Sequence, residues 1–219
     1  MVIQDGAEAS AALLGEPPAV ELMNTVWADR DGVHDTLATP GQALAWLRTI
    51  RDRLAPRPAA VDAWLDAAQP GDATAVADRL RVLRDGLRRL AAEVTGDPRP
   101  AAVSATPDRR AALLTLDHAC AAAPTWSSLR WVDGQEPSRE LHTDAPPEQV
   151  ILAELAEQAV ELFTGEPARR LRACLAPGCV LYFVKQHPRR EWCSAGCGNR
   201  ARVARHYQRH RTQTTNPTR

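Results

Sequence analysis

The chain has 219 residues, its 27 Lys+Arg balance 27 Asp+Glu, and 39 of its hydrophobic residues are Ala against 2 Phe and 2 Tyr. Ala, Leu and Arg are the strongest helix formers, so this composition favours helices and argues against a mostly β architecture. The longest apolar run, 179–184, is six residues, far short of the roughly 20 that span a bilayer, and MVIQDGAEAS carries neither part of a secretory signal. The expectation is a cytoplasmic protein with no membrane partner and with reduced cysteines.

Residues 1–16 read as a loose lead-in, and Pro17-Pro18 begins a short helix over 19–27. A turn-rich stretch without periodicity follows over 28–38. Thr39 then caps a helix, with Pro40 at its first position and Gln42 completing a capping box. Its apolar stripe is Ala43, Leu47, Ile50 and Leu54, and a further helix over 58–68 carries Val61, Trp64 and Leu65. The strongest pattern lies over 72–95, where Val76, Leu80, Leu83, Leu87, Leu90 and Val94 mark one face of a long helix stopped by Gly96-Asp97-Pro98.

Thr106-Pro107 opens the next helix, with Leu113, Leu116 and Cys120 on one side. Cys120 reads as a buried, inert thiol, because no partner base is identifiable. Two polar-apolar runs within 127–143, around Asp133–Pro137, predict a β-hairpin. Residues 148–163 predict a helix with Leu152, Leu155, Ala159 and Leu162 facing inward, and Thr164–Pro167 ends it. The expected fold is mainly α with a small β-hairpin (α+β): an α-helical domain over 1–167, a four-cysteine module over 168–211, and a disordered tail over 212–219.

Charge changes sign at the same boundary. Residues 168–219 hold 12 Lys+Arg and one acid, Glu191, whereas 1–167 hold 15 basic and 26 acidic residues. Such asymmetry points to a basic segment that meets a polyanion. Within it Cys174, Cys179, Cys193 and Cys197 form C-x4-C, 13 residues, then C-x3-C. Two close pairs supply the four soft ligands that Zn2+ holds in a tetrahedron, and a closed four-ligand site is structural rather than catalytic. Pro177-Gly178 and Gly196 place a turn inside each pair; Val180–Val184 predicts a strand, and a helix is expected after Cys197. Knuckle, hairpin and helix make a treble-clef-like zinc finger, with His187 as a spare ligand.

On the helix after Cys197, Arg202, Arg205 and Arg209 share one face with His206 beside them. Val203 and Tyr207 share another, suited to packing on the knuckle. Arginine forks pair with phosphate and read guanine edges, so the three arginines are expected to meet DNA. Lys185, Arg189, Arg190 and Arg200 extend the patch, and Arg211 flanks it.

The stretch Cys197-Gly198-Asn199-Arg200, preceded by REWCS and followed by ARVARHYQRHR, resembles the CGNR zinc-finger proteins of bacteria, described as stress-induced transcription regulators. ELMNTVWADRDGVHDTLATPGQALAWL (21–47) resembles their companion ABATE domain. The resemblance implies zinc on the four cysteines, DNA binding by the finger, and regulation by the first domain through a sensed ligand. The second pair departs from the family's usual C-x4-C by one residue.

In the first domain Asn24, Trp27 and Arg30, with Thr25, His34 and Asp35 nearby, form the candidate pocket for a small-molecule effector. The alternative is helix capping and packing. There are no paired carboxylates, nucleophile–base arrangement or phosphate loop, and Glu16 and Glu21 stand too isolated for acid–base work, which argues against an enzyme. The function expected is zinc-dependent DNA binding in bacterial transcription control, with a homodimer as one way to strengthen a short finger's grip. The alternative is a zinc-stabilised protein- or RNA-interaction module.

Overall fold

The computed structural model describes residues 13–54, 58–99 and 104–214, with side chains as far as 209. Residues 1–12 of the expected lead-in and 215–219 of the expected tail lie outside them.

Pro17 and Pro18 start α1 (Pro18–Met23), where a missing N–H costs nothing. The helix stops earlier than expected. Val26 and Trp27, residue types that favour extended backbone, lie in β1 (Val26–Ala28), which pairs antiparallel with β2 (Val33–Asp35) out of the stretch expected to be a loop. The capping box forms as read: Thr39 Oγ1 accepts the Gln42 N–H at 3.2 Å, and Gln42 Oε1 accepts the Thr39 N–H at 3.0 Å. It starts α2 (Pro40–Ile50), and α3 (Ala59–Ala67) follows.

The centre of the body is α4 (Thr74–Thr95), which packs on α1, α2, α5, α6 and β5. Its stripe is buried from Val76 through Leu90, but Val94 is 52% exposed, so the stripe leaves the core in the last turn. Gly96 closes the helix at φ 58°, in the left-handed conformation glycine adopts freely. The next helix, α5 (Arg109–Ala121), is capped by Asp108, whose carboxylate accepts the Ala111 N–H at 2.8 Å. Its inward face is Ala112 and Leu116, and Leu113 points outward.

The predicted hairpin is β3 (Trp126–Arg130) with β4 (Ser138–His142). All four inward positions expected on α6 (Pro147–Thr164) are buried. Beyond it the chain forms a short helix, α7 (Glu166–Arg170), where only a stop was expected. The segment then contributes β5 (Leu171–Ala173), β6 (Tyr182–Val184) and α8 (Ala195–Thr214). The fold is helical with three separate two-stranded antiparallel sheets among the described residues. Since α8 runs to Thr214, helix replaces the first part of the expected tail.

The β5–β6 hairpin joins the two halves. Alternate side chains of a strand face opposite ways, and β6 uses both. Tyr182 and Val184 enter the core of the helical body together with Leu171, while Phe183 packs with the four cysteines. The charge boundary at 167 is therefore not a break in packing.

Candidate metal centre and basic helix

Each cysteine pair sits where the backbone turns. Cys174 follows β5 and donates its N–H to Leu181 O at 2.9 Å, and Gly178, at φ 74°, allows the Cys179 N–H to reach Ala176 O at 2.9 Å. The second pair spans a helix start. Ser194 Oγ accepts the Cys197 N–H at 3.2 Å, so α8 begins at Ala195 rather than after Cys197. The first turn carries Cys197 back beside Cys193, which is how the shortened C-x3-C spacing still closes.

All four cysteines are at most 5% exposed, and their sulfurs lie within 4.8 Å of one another. Cys179 and Cys193 Sγ are 3.8 Å apart and Cys193 and Cys197 Sγ 3.4 Å. Four Zn–S bonds of about 2.3 Å imply tetrahedron edges of about 3.8 Å, so the donor set fits a Zn2+-sized soft cation. Without a cation the four thiols cannot ionise together. Hydrogen bonds from Cys179 and Cys193 draw the Cys174 thiol down, and the bond to Cys174 pushes the Cys179 thiol up. A divalent ion removes that conflict. The Arg200 guanidinium donates to Cys197 Sγ at 3.0 Å, placing a positive charge beside the sulfur cluster. His187 is exposed and its Nδ1 accepts the Arg189 N–H at 3.1 Å, outside the cluster.

Beyond the cysteines, α8 is held by few side chains. Ala201 is buried, and a Cβ on Gly198 would come 3.1 Å from Cδ1 of Trp192. That close approach is the local reason for glycine after the last cysteine. From Arg202 to Arg209 every residue except Ala204 is exposed. Val203 and Tyr207, expected against the knuckle, are 46% and 66% exposed. Arg205 lies 5.7 Å over the Trp192 ring and 3.9 Å from Glu191. The side chain of Arg211 lies outside the described residues.

Residues 170–210 match the CGNR zinc finger, and residues 16–166, more than half of the chain, match ABATE, described as "Putative stress-induced transcription regulator". The chain belongs to the ABATE family. No curated protein matches it. All four clustered cysteines fall inside the CGNR finger, which makes the cluster a candidate metal centre of a regulator family.

The ABATE body grips the finger through polar groups. Asn24 behaves like a strand edge: its Nδ2 donates to Tyr182 O and its Oδ1 accepts the Tyr182 N–H, both at 2.9 Å. Arg99 donates to the carbonyls of Cys174, Cys179 and Leu181 at 2.9, 3.1 and 3.2 Å. Arg88 bridges Met23 O at 2.9 Å and Val180 O at 3.2 Å. The Asp97 side chain is covered, which alone would raise its pKa, yet Arg99 and the Tyr182 hydroxyl hold its carboxyl below the usual range.

Glu16 receives the Val184 N–H at 2.8 Å and Arg190 at 2.5 Å. Its backbone N–H donates to Glu21 at 2.7 Å, and Arg53 bonds both glutamates. The two acids expected to be isolated are thus buried partners, and burial raises the Glu16 pKa. Arg190, expected at DNA, is committed here. Besides Glu16 it reaches Cys193 O at 2.9 Å and lies 4.9 Å over the Phe183 ring.

The expected effector pocket does not assemble. Asn24 spends both amide atoms on Tyr182, Trp27 stacks on His34 at 4.3 Å, and Arg30 is exposed. The cavity beside Asn24 holds about 30 Å³ and is lined by neither Trp27 nor Arg30, room for a water rather than an effector. Cys120, expected to be buried, is half-buried, and that burial together with Glu157 pushes its thiol up to about 11. No helix among the described residues is long and apolar enough to cross a membrane.

No spacing along the chain pairs these acids with these arginines. Their only signal was that Arg84 and Arg88 each directly follow a stripe leucine on α4, and both prove buried.

Proposed function

We propose that this ABATE protein is a zinc-stabilised, DNA-binding transcription regulator of the cytoplasm. Cys174, Cys179, Cys193 and Cys197 hold Zn2+ as a structural ion. Arg202, Arg205 and Arg209 meet duplex DNA from α8, and Lys185 and Arg189 contact phosphates. Arg190 and Arg200 act as structural supports, since one bonds Glu16 and the other Cys197. One observation carries the reading: a helix that begins inside the cysteine cluster is exposed from Arg202 to Arg209 except at Ala204, and presents a basic surface in a segment with a single acid. The ABATE body is the regulatory platform, and any signal it receives reaches the helix through the shared β5–β6 core.

Fluorescence anisotropy of a labelled duplex, titrated with zinc-loaded protein at several salt concentrations, tests this. Five cationic contacts give a slope of log affinity on log salt of about −4.5. Changing Arg202, Arg205 and Arg209 together to Ala should reduce that slope by about 3, with zinc retained. Absence of duplex binding even at low salt would overturn DNA as the partner and point to the protein- or RNA-interaction reading.

A further inference from the structure

The outermost line of α8 is not its arginine line. At roughly 100° per residue, the inward side is set by Cys197 and Ala201, 3% and 4% exposed, and by Gly198 against Trp192. Directly opposite stand Asn199, Val203 and His206, bordered by Arg202 and Tyr207, all exposed. Arg209 falls to one side of this crest, next to Arg202, and Arg205 lies further round on the anchored side, over the Trp192 ring. Arg200 falls to the other, leaning toward Cys197.

We propose that this crest reads base edges in the DNA major groove, with Asn199 on adenine and Val203 on a thymine methyl, so that the recognised site contains A·T pairs. The proposal rests on the DNA-binding reading above. A helix drawn to duplex DNA by flanking arginines enters the groove with its outermost residues, which places Arg202 and Arg209 toward one phosphate rim. Asn pairs bidentately with adenine N6 and N7, and branched aliphatic carbons favour the C5 methyl of thymine. Asn199 and Val203 are one turn apart, about 6 Å along the axis, or roughly two base steps of 3.4 Å. A second copy of the chain is the poorer occupant for this surface. The two apolar side chains are set among arginines in a segment with 12 cations and one acid, so two such faces repel while a polyanion attracts.

The test uses the full-length, zinc-loaded protein to enrich duplexes from a random pool. The enriched duplex is then titrated by anisotropy at fixed salt, with each thymine replaced in turn by deoxyuridine, which lacks only the methyl. The expected result is a shared A·T step, and one thymine whose replacement weakens wild-type binding about fourfold, the worth of one buried methyl group. That replacement should have no effect on Val203→Ala. Asn199→Ala should lose about tenfold or more on the enriched duplex. Because both side chains are exposed, zinc content verifies that each variant is folded. Wild-type binding without any sequence preference, or a deoxyuridine effect that persists in Val203→Ala, overturns the crest while leaving the DNA-binding reading intact. Failure of wild type to bind any duplex overturns both.

Discussion

At the residue scale, the finger depends on a few polar side chains far from it in sequence. Asn24 and Tyr182 are separated by 158 positions, yet one amide satisfies both backbone groups of a strand residue. Asp97 shows how such a group couples to pH. Its folded-state pKa lies below the ordinary 3.8 because Arg99 and Tyr182 stabilise the carboxylate more than burial penalises it. The depressed value means the stabilisation is fully present above about pH 4 and is lost as pH falls through the folded-state pKa. Asp97→Asn should therefore destabilise the protein by about 1–3 kcal/mol at pH 7, with the gap to wild type closing below pH 4. Denaturant midpoints across that range measure it; a constant gap would refute a charge-based role.

At the scale of elements, α8 is helical to Thr214 although, as far as Arg209, little of it is buried. An Arg-rich helix of this length is marginal in water by itself. Its anchors are the Ser194 cap, Cys197 and Ala201, so with Zn2+ held by the four cysteines, as proposed above, the helix would depend on the metal. Chelation should unwind α8 and expose Trp192, visible as lost helical circular dichroism and a red-shifted tryptophan signal. The strands should survive, because Leu171, Tyr182 and Val184 remain buried in the ABATE core. If α8 kept its helicity in the chelated protein, the metal would not be its anchor.

The periodicity of the long helices and the box at Thr39 were legible because each is encoded within a few residues. The early end of α1 was not. Val26 and Trp27 favour extended backbone, but they need β2 to become a strand, and nothing within 19–27 announces partners nine and seven residues on. Val94 likewise fits the stripe of α4 but lies beyond the neighbours that bury the rest.

For the whole molecule, finger and body act as one unit. Arg99 belongs to the ABATE body, yet it holds three carbonyls of the finger, two of them from cysteines. Arg99→Met takes this donor from the Cys174 and Cys179 carbonyls, at about 1–3 kcal/mol each where water cannot replace it, while Leu181 O keeps the Cys174 N–H. Zinc transfer to a chromophoric chelator should accelerate by about tenfold or more, the rate equivalent of 1.4 kcal/mol. Unchanged release would mean that the finger holds its metal independently of the body.

The candidate metal centre and the basic segment could be read from the chain because their information is local: four cysteines at short spacings, and cations with almost no acids among them. What the sequence alone determined was therefore the cysteine cluster, the long helices and the sign of the charge. The tertiary structure decided which side chains are free. Arg190 looked like its basic neighbours until Glu16, 174 positions away, proved to bind it. Val203 and Tyr207 looked like packing residues until the knuckle proved to bury Ala201 instead. A side chain's availability depends on what the distant chain brings beside it, and that contact has no spacing to read.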